Sequence, residues 1–273
     1  MDHPADTAKK NYESLYEEFE SPLMREVRRE AYGEDIGQHS WVTAADLRRD
    51  AVRLGLPIGG QLLDLGCGPC GPLTFVMTSV GCLGIGLDVS AAALAAGLVR
   101  AQSLGIAERV RLQETDLDGP IPLASNCVDA AMSLDVVLHL RDRLRAFMEV
   151  ARVLKRGARL LYTDAGVVTG SISNEEVTAR SMHGFTQFCA PGFNEKMLER
   201  AGLVLLETEN RTAALIENAT GRLAARLKHR AELEQIEGAV GFAHYQGYLR
   251  SVISMSERGA LSRMMYLTEL SAD

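Results

Sequence analysis

The sequence predicts an α/β fold, a doubly wound parallel sheet with helices on both faces. Three observations carry that prediction. From residue 61 onward, short apolar runs alternate with stretches of helical period, the pattern of parallel strands joined by helical crossovers. The first apolar run ends in a glycine-rich turn, LLDLGCGPCG, which lets backbone approach a ligand closely. A chain of 273 residues, 47% hydrophobic, suffices for one large core with additions or for two small domains. Right-handed crossovers then make the sheet doubly wound.

Taken in order, residues 1–55 read as helices. NYESLYEEFESPLMREVRREAY sets Tyr12, Leu15, Tyr16 and Phe19 on one face, and Pro22 starts a second helix. YGEDIGQHSW breaks the period at Gly33 and Gly37, and TAADLRRDAVRLGL resumes it from Thr43 to near Gly55. QLLDLG is the first strand, and Pro72 opens the next helix. CLGIGLDVS is the second strand, with Ser90 capping an Ala-rich helix through Ala101. VRLQETD and VDAAMSLD are the third and fourth strands. RLRAFMEVARVL is a helix stopped by Gly157, and ARLLYTD is the fifth strand. Residues 165–192 read as irregular. NEKMLERAG is a short helix, LVLLETEN a sixth strand, and LSRMMYLTEL a closing strand after a long helical stretch carrying Ile216, Leu223, Leu227 and Ala231.

The net charge of −7 argues against a long nucleic-acid groove. The N-terminal stretch MDHPADTAKKNYESLYEEFE lacks the apolar run of a signal peptide, and no run of about 18 apolar residues predicts a membrane span. Five cysteines, an odd number, do not suit a secreted disulfide framework, so a cytoplasmic location is expected. Cys82, Cys127 and Cys189 are scattered and give Cys67 and Cys70 no second pair, so no metal site is expected. The sequence carries no signal for an oligomeric state.

The turn spells three motifs at once. Gly66, Gly68 and Gly71 make G-x-G-x-x-G, a dinucleotide fingerprint, with Asp88 about 20 residues on as an acceptor for ribose hydroxyls. Cys67 to Cys70 make the C-G-P-C of thioredoxin-like centres, although a thioredoxin-like domain is much smaller and its motif follows Trp, where Leu65 and Gly66 stand here. Leu62 to Gly68 make the turn of S-adenosylmethionine (SAM) sites. A pyrophosphate is poorly served: Asp64 sets a carboxylate against it, and Pro69 removes a backbone N–H. A ligand with an α-ammonium and a sulfonium has opposite needs. Asp64 can pair with the ammonium, Gly66 and Gly68 admit the ligand, and Asp88 can accept both ribose hydroxyls. Asp116 can accept from an adenine amino group while Leu117 donates its N–H and packs on the ring.

The succession LLDLGCGPCG, GIGLDVS, VRLQETDLDGPIPLASNCVDAAMSLDVVLHL and ARVLKRGARLLYTD resembles class I SAM-dependent methyltransferases of the small-molecule group, including phosphoethanolamine-type and related natural-product enzymes. It runs from about residue 60 to 165, and MLERAGLVLLETEN and LSRMMYLTEL fit that fold's last two strands. The resemblance implies a seven-stranded Rossmann-like sheet of order 3-2-1-4-5-7-6 with the last strand antiparallel. It implies an N-terminal helical lid over 1–55 and a SAM-binding methyltransferase domain over 56–273, with a helical cap insert at about 211–260. SAM is the cofactor so implied and S-adenosylhomocysteine its product, with Val89 and Ser133 completing the cofactor set.

His139 in SLDVVLHL is the candidate general base, since an imidazole titrates near neutrality. Phosphoethanolamine methyltransferases are similar here and pair this His with an N-terminal Tyr, for which Tyr12 is the match and Tyr16 a poorer one. A structural His at a helix start is the alternative. Gln38 and Trp41 match a segment that packs over the methionine end of SAM in related enzymes; Trp41 as a plain core anchor is the alternative. Asp135 and Asp164 end the fourth and fifth strands as further polar candidates. Candidate substrate contacts are Tyr16, Phe19, His183, Phe185, His244 and Tyr245, with Tyr248 beside them. The expected function is N- or O-methylation of a small metabolite. The alternatives are an NAD(P)-dependent oxidoreductase using the glycine turn and a non-catalytic SAM-binding protein.

Overall fold

Side-chain parity along the strands decides how the layers assemble. In β1 (Gln61–Leu65), Leu62 faces one side and Leu63 the other; in β4 (Val128–Leu134), Ala130 and Met132 oppose Ala131. Strands buried on both faces read as nearly continuous apolar runs, as these do. In the computed structural model, which describes residues 16–182 and 184–271, they join β2 (Leu83–Asp88), β3 (Val110–Glu114), β5 (Leu154–Val168), β6 (Leu203–Asn210) and β7 (Leu261–Leu270) in one seven-stranded sheet of order β3-β2-β1-β4-β5-β7-β6. β1 to β5 run parallel, whereas β7 lies antiparallel between β5 and β6. Both the order and the reversed last strand match the expectation.

Helices α1 (Pro22–Tyr32) and α2 (Ala44–Arg53) start at Ser21 and Thr43, whose hydroxyls accept the Met24 and Asp46 N–H groups. On one face of the sheet, Leu47 of α2, Leu54 at its C-cap, and Leu73 and Met77 of α3 (Gly71–Val80) pack on Leu62, Met132 and Leu267. On the other, Phe147 and Val150 of α5 (Arg143–Val153) and Leu198 of α7 (Phe193–Arg200) pack on Leu63, Ala131 and Tyr162. Tyr162 and Tyr266 stack across β5 and β7 with centroids 4.9 Å apart. Between β2 and β3 runs α4 (Ala91–Ser103), capped by Ser90.

Three local expectations change. α5 ends at Val153 and the chain enters β5 directly at Leu154, so Gly157 (φ +74°) turns the backbone inside the strand and does not stop the helix. Residues 165–192 are more ordered than their composition suggests. β5 runs on to Val168, Val167 bridges to Cys189, and α6 (Asn174–Arg180) begins with a Ser173–Glu176 capping box. The insert before β7 is a pair of helices, α8 (Thr212–Lys228) and α9 (Arg230–Glu257), the latter broken at Gly238. No helix among the described residues is long and apolar enough to cross a membrane.

Candidate active site

The carboxyl ends of β1 to β4 meet along one edge of the sheet. The loops leaving them and the helices above enclose a cavity of about 480 Å³. Ligands of open α/β sheets sit at such an edge, where the strand order reverses.

The glycine turn is tied to β2. Gly66 and Cys67 donate their N–H groups to the Leu87 carbonyl at 2.7 and 3.1 Å. Gly68 donates to one Asp88 carboxylate oxygen at 2.8 Å, and Ser90 to the other at 2.9 Å. Gly66 has φ +72°, and a Cβ there would lie 2.4 Å from Val136. Gly71, the third glycine of the motif, makes room for backbone. Its Cβ would fall 2.1 Å from the Gly37 carbonyl, so the 33–41 segment docks directly on the turn.

Asp64 lines the cavity at the end of β1 and is 2% exposed. Burial, then the neighbouring Asp88, pushes its pKa well above the carboxylate range. Two carboxylates at one glycine turn repel a pyrophosphate and suit a cation. Cys67 and Cys70 are buried free thiols with sulfurs 3.6 Å apart. Burial, then Cys70, pushes the Cys67 thiol well up, the reverse of what a redox nucleophile needs.

After β3, residues 115–118 line the cavity, and Asp118 accepts the Arg141 N–H at 2.8 Å, tying this loop to the one after β4. There Asp135 (φ +61°) accepts from Trp41 N–H at 2.9 Å, Thr163 Oγ1 at 2.8 Å and the Arg263 guanidinium at 2.8 Å. Burial opposes its ionisation, but Arg263 and the other donors hold the carboxyl below its usual range. Asp135 thus borders the cavity without capping a helix, and its charge is already matched.

His139 ends a short 3₁₀ turn, Val137–His139, at the cavity wall. Its Nδ1 lies 2.9 Å from the Phe185 carbonyl. A carbonyl only accepts, so Nδ1 carries the proton. Burial holds the imidazole down at about 4, keeping it neutral, with the lone pair on Nε2. Above it, Trp41 stacks on Tyr248 at 6.3 Å, and the Arg222 guanidinium lies 4.8 Å from the Trp41 ring. Tyr16 closes this side, its hydroxyl 3.2 Å from His39 Nδ1.

Of the residues expected from sequence, Asp64, Gly66, Gly68, Asp88, Val89, Asp116, Leu117, Trp41, His139, Tyr16, Phe185 and Tyr245 line this one cavity. Four do not. Gln38 folds back on its own loop, accepting from Ile36 N–H and donating to the Glu34 carbonyl. Ser133 donates to the Leu65 carbonyl inside the sheet. Phe19 is buried under the Arg28 guanidinium, 4.1 Å from its ring. His244 stands on α9 as an exposed residue. Asp164 is also absent, being fully buried against Arg143 and Asn194. Tyr12 and His183 lie outside the described residues.

Arg180, Arg222, His39 and the Arg263 that braces Asp135 are not among the residues expected from sequence. One signal for them exists. Asn218, Arg222 and Arg226 recur every four residues along α8, a polar stripe on a helix face that is buried. Among the described residues no cluster of His, Cys, Asp or Glu could hold a metal ion.

Comparison with known proteins agrees with this geometry. A methyltransferase domain family matches residues 63–162, from β1 to β5. Methyltransferase GfsG of Streptomyces halstedii is 30% identical over 57% of this chain and 56% of that protein. The glycine/sarcosine/dimethylglycine N-methyltransferase of Actinopolyspora halophila is 27% identical over 84% of this chain and 40% of that one. The chain therefore spans about half the length of these curated relatives. Among solved structures, a putative sarcosine dimethylglycine methyltransferase from Galdieria sulphuraria superposes with a TM-score of 0.76 at 22% identity, covering 84% of this chain and 85% of that one, a likeness of fold. The matched domain spans the glycine turn, Asp88 and the β4 loop, so residues 63–162 are similar to the methyltransferase domain that SAM-dependent methyltransferases carry.

Proposed function

We propose that this protein transfers the methyl group of SAM to a nitrogen or oxygen of a small metabolite held beneath the α6, α8 and α9 helices, with His139 as general base. The single observation that carries the reading is the pairing of Asp64 with Asp88 around a phosphate-averse glycine turn. SAM supplies an activated methyl on a sulfonium and fits the donor set: a buried carboxyl with a raised pKa gains its ionised form when an ammonium arrives. Asp64 serves the amino-acid end, Asp88 the ribose, and Asp116 with Leu117 the adenine. Trp41, held by Asp135 through its N–H, covers the methionine end.

The chain's own residues then act in three ways. Tyr16, Trp41 and the cap helices exclude water and hold the acceptor close to the cofactor. His139 Nε2 takes the acceptor's proton while Nδ1–H stays on the Phe185 carbonyl. Asp135, matched by Arg263, stays ionised without acting as a base. The size of the cavity, about 480 Å³, favours a small enclosed acceptor over a protein or polynucleotide. The related protein named for glycine, sarcosine and dimethylglycine supports amines as first acceptors to try.

Isothermal titration with SAM, S-adenosylhomocysteine and NADH tests the reading. Saturable binding of the first two and none of the third is expected, and the reverse result rejects it. With an active acceptor, His139→Ala should lower kcat by about 100-fold or more. Turnover within about threefold of the parent removes His139 from the chemistry.

A further inference from the structure

Seven arginines among the described residues are at least nine-tenths buried: Arg28, Arg143, Arg180, Arg211, Arg222, Arg226 and Arg263. Five of them sit against a carboxylate: Arg28 on Asp35, Arg143 on Asp164, Arg211 on Asp50, Arg226 on Glu237 and Arg263 on Asp135. Arg180 and Arg222 have no carboxylate partner among the described residues. These two, of the seven, line the cavity.

Their present partners are neutral. Arg180 donates to the Tyr248 hydroxyl at 3.3 Å and to the Ala165 carbonyl at 3.4 Å. Arg222 donates to the Tyr245 hydroxyl and to the His39 carbonyl, the latter at 3.3 Å. Asp135 does not supply the missing charge, since its carboxylate is taken by Arg263, Thr163 and Trp41. A buried cation without a counter-charge is costly, and the cost falls when a ligand brings one. The cavity is divided electrically. Asp64, Asp88 and Asp116 line the glycine-turn side, whereas Arg180, Arg222, Tyr245 and Tyr248 line the cap side, with His139 near enough to Arg180 to feel its charge.

We infer that the cap side is an oxyanion subsite, in which Arg180 and Arg222, with the Tyr245 and Tyr248 hydroxyls, hold a carboxylate or phosphoryl group of the methyl acceptor. The inference rests on the methyltransferase reading for the word acceptor, but not for the subsite itself. The anion fixes one end of the acceptor at α6 and α8, and the methylated atom lies on the His139 side. A guanidinium fork matches either oxyanion through two N–H donors.

The test uses the whole chain loaded with S-adenosylhomocysteine and followed by calorimetry. The probes are inorganic phosphate, acetate, and two matched pairs: 2-aminoethyl phosphate against 2-aminoethanol, and N-methylglycine against its amide. The oxyanion member of at least one pair should bind at least tenfold more tightly than its counterpart, and which pair does so separates phosphoryl from carboxylate. Arg180→Gln and Arg222→Gln should each weaken that oxyanion at least tenfold, and in Arg180→Gln, whose contacts are Tyr248 and Ala165, S-adenosylhomocysteine binding should stay within about twofold of the parent. Arg222→Lys should recover part of the loss. Equal binding of both members in both pairs overturns the inference, as does oxyanion binding that survives the double Gln variant. The pairs read the parent protein, so they decide the matter even where a variant fails to fold. If S-adenosylhomocysteine does not bind the parent, the methyltransferase reading falls, while phosphate and acetate titrations still report the subsite.

Discussion

A carboxyl that is 2% exposed, beside a second carboxyl, has its pKa pushed well above the carboxylate range, and a cation nearby favours its ionised form. Asp64 is therefore the residue whose charge should matter most for cofactor affinity. Asp64→Asn keeps the shape and removes the charge. It should weaken S-adenosylhomocysteine about 10- to 100-fold by calorimetry, the span of a hydrogen bond to a charged group. His139 gives the second residue-scale test. Its folded pKa of about 4 lies below the 6.5 of a free imidazole, so between those values the unfolded chain binds more protons. Stability then falls as pH drops from 6.5 toward 4. The urea midpoint should decline over that window, and less steeply in His139→Gln. In the proposed role of base, His139 should keep kcat/KM level through pH 6.5, with its acidic limb near 4.

At the scale of elements, the turn between β1 and α3 joins two parts of the site. Gly66 leaves no room for a side chain beside Val136, and Gly71 admits the 33–41 segment that carries His39 and Trp41. Gly71→Ala drives a Cβ into the Gly37 backbone, which has no side-chain freedom with which to yield. It should destabilise the fold by about 1–3 kcal/mol in urea unfolding, the usual cost of overpacking. It should also weaken S-adenosylhomocysteine binding, because Trp41 moves with the segment. What the sequence makes legible at this scale follows local rules. The Ser90 cap, the helix starts at Pro22 and Thr43 and the apolar runs of β1 and β4 are read directly from residue types. The ordered part of 165–192 is hidden because its polar residues resemble a loop until Val167 bridges to Cys189. Gly157 misleads for a related reason: a glycine marks positive φ, and that occurs within strands as well as at helix ends.

For the whole molecule, the sheet order follows from a resemblance spanning β1 to β5, and most of the site follows from strand ends, which place Asp64, Asp88 and His139 on one edge. The basic half of the cavity is not legible. Arg180 ends a seven-residue helix and Arg222 lies on the buried face of α8, and nothing local brings the two to one wall. Gln38 and Ser133 fail in the opposite way. Both sit beside the site in sequence, but local hydrogen bonds turn their side chains elsewhere. Pairing at long range, rather than residue type, separates what can be read from what cannot.

The Asp135–Arg263 brace spans 128 positions, and the Trp41 N–H on the same carboxylate comes from 94 positions upstream. During synthesis, β1 to β4 and their glycine turn leave the ribosome well before residue 263 does. A nascent chain at that stage has an Asp135 carboxylate, with Trp41 N–H upstream to bond it, but without the Arg263 cation. The counter-charge of the β4 loop is thus supplied only when β7 emerges.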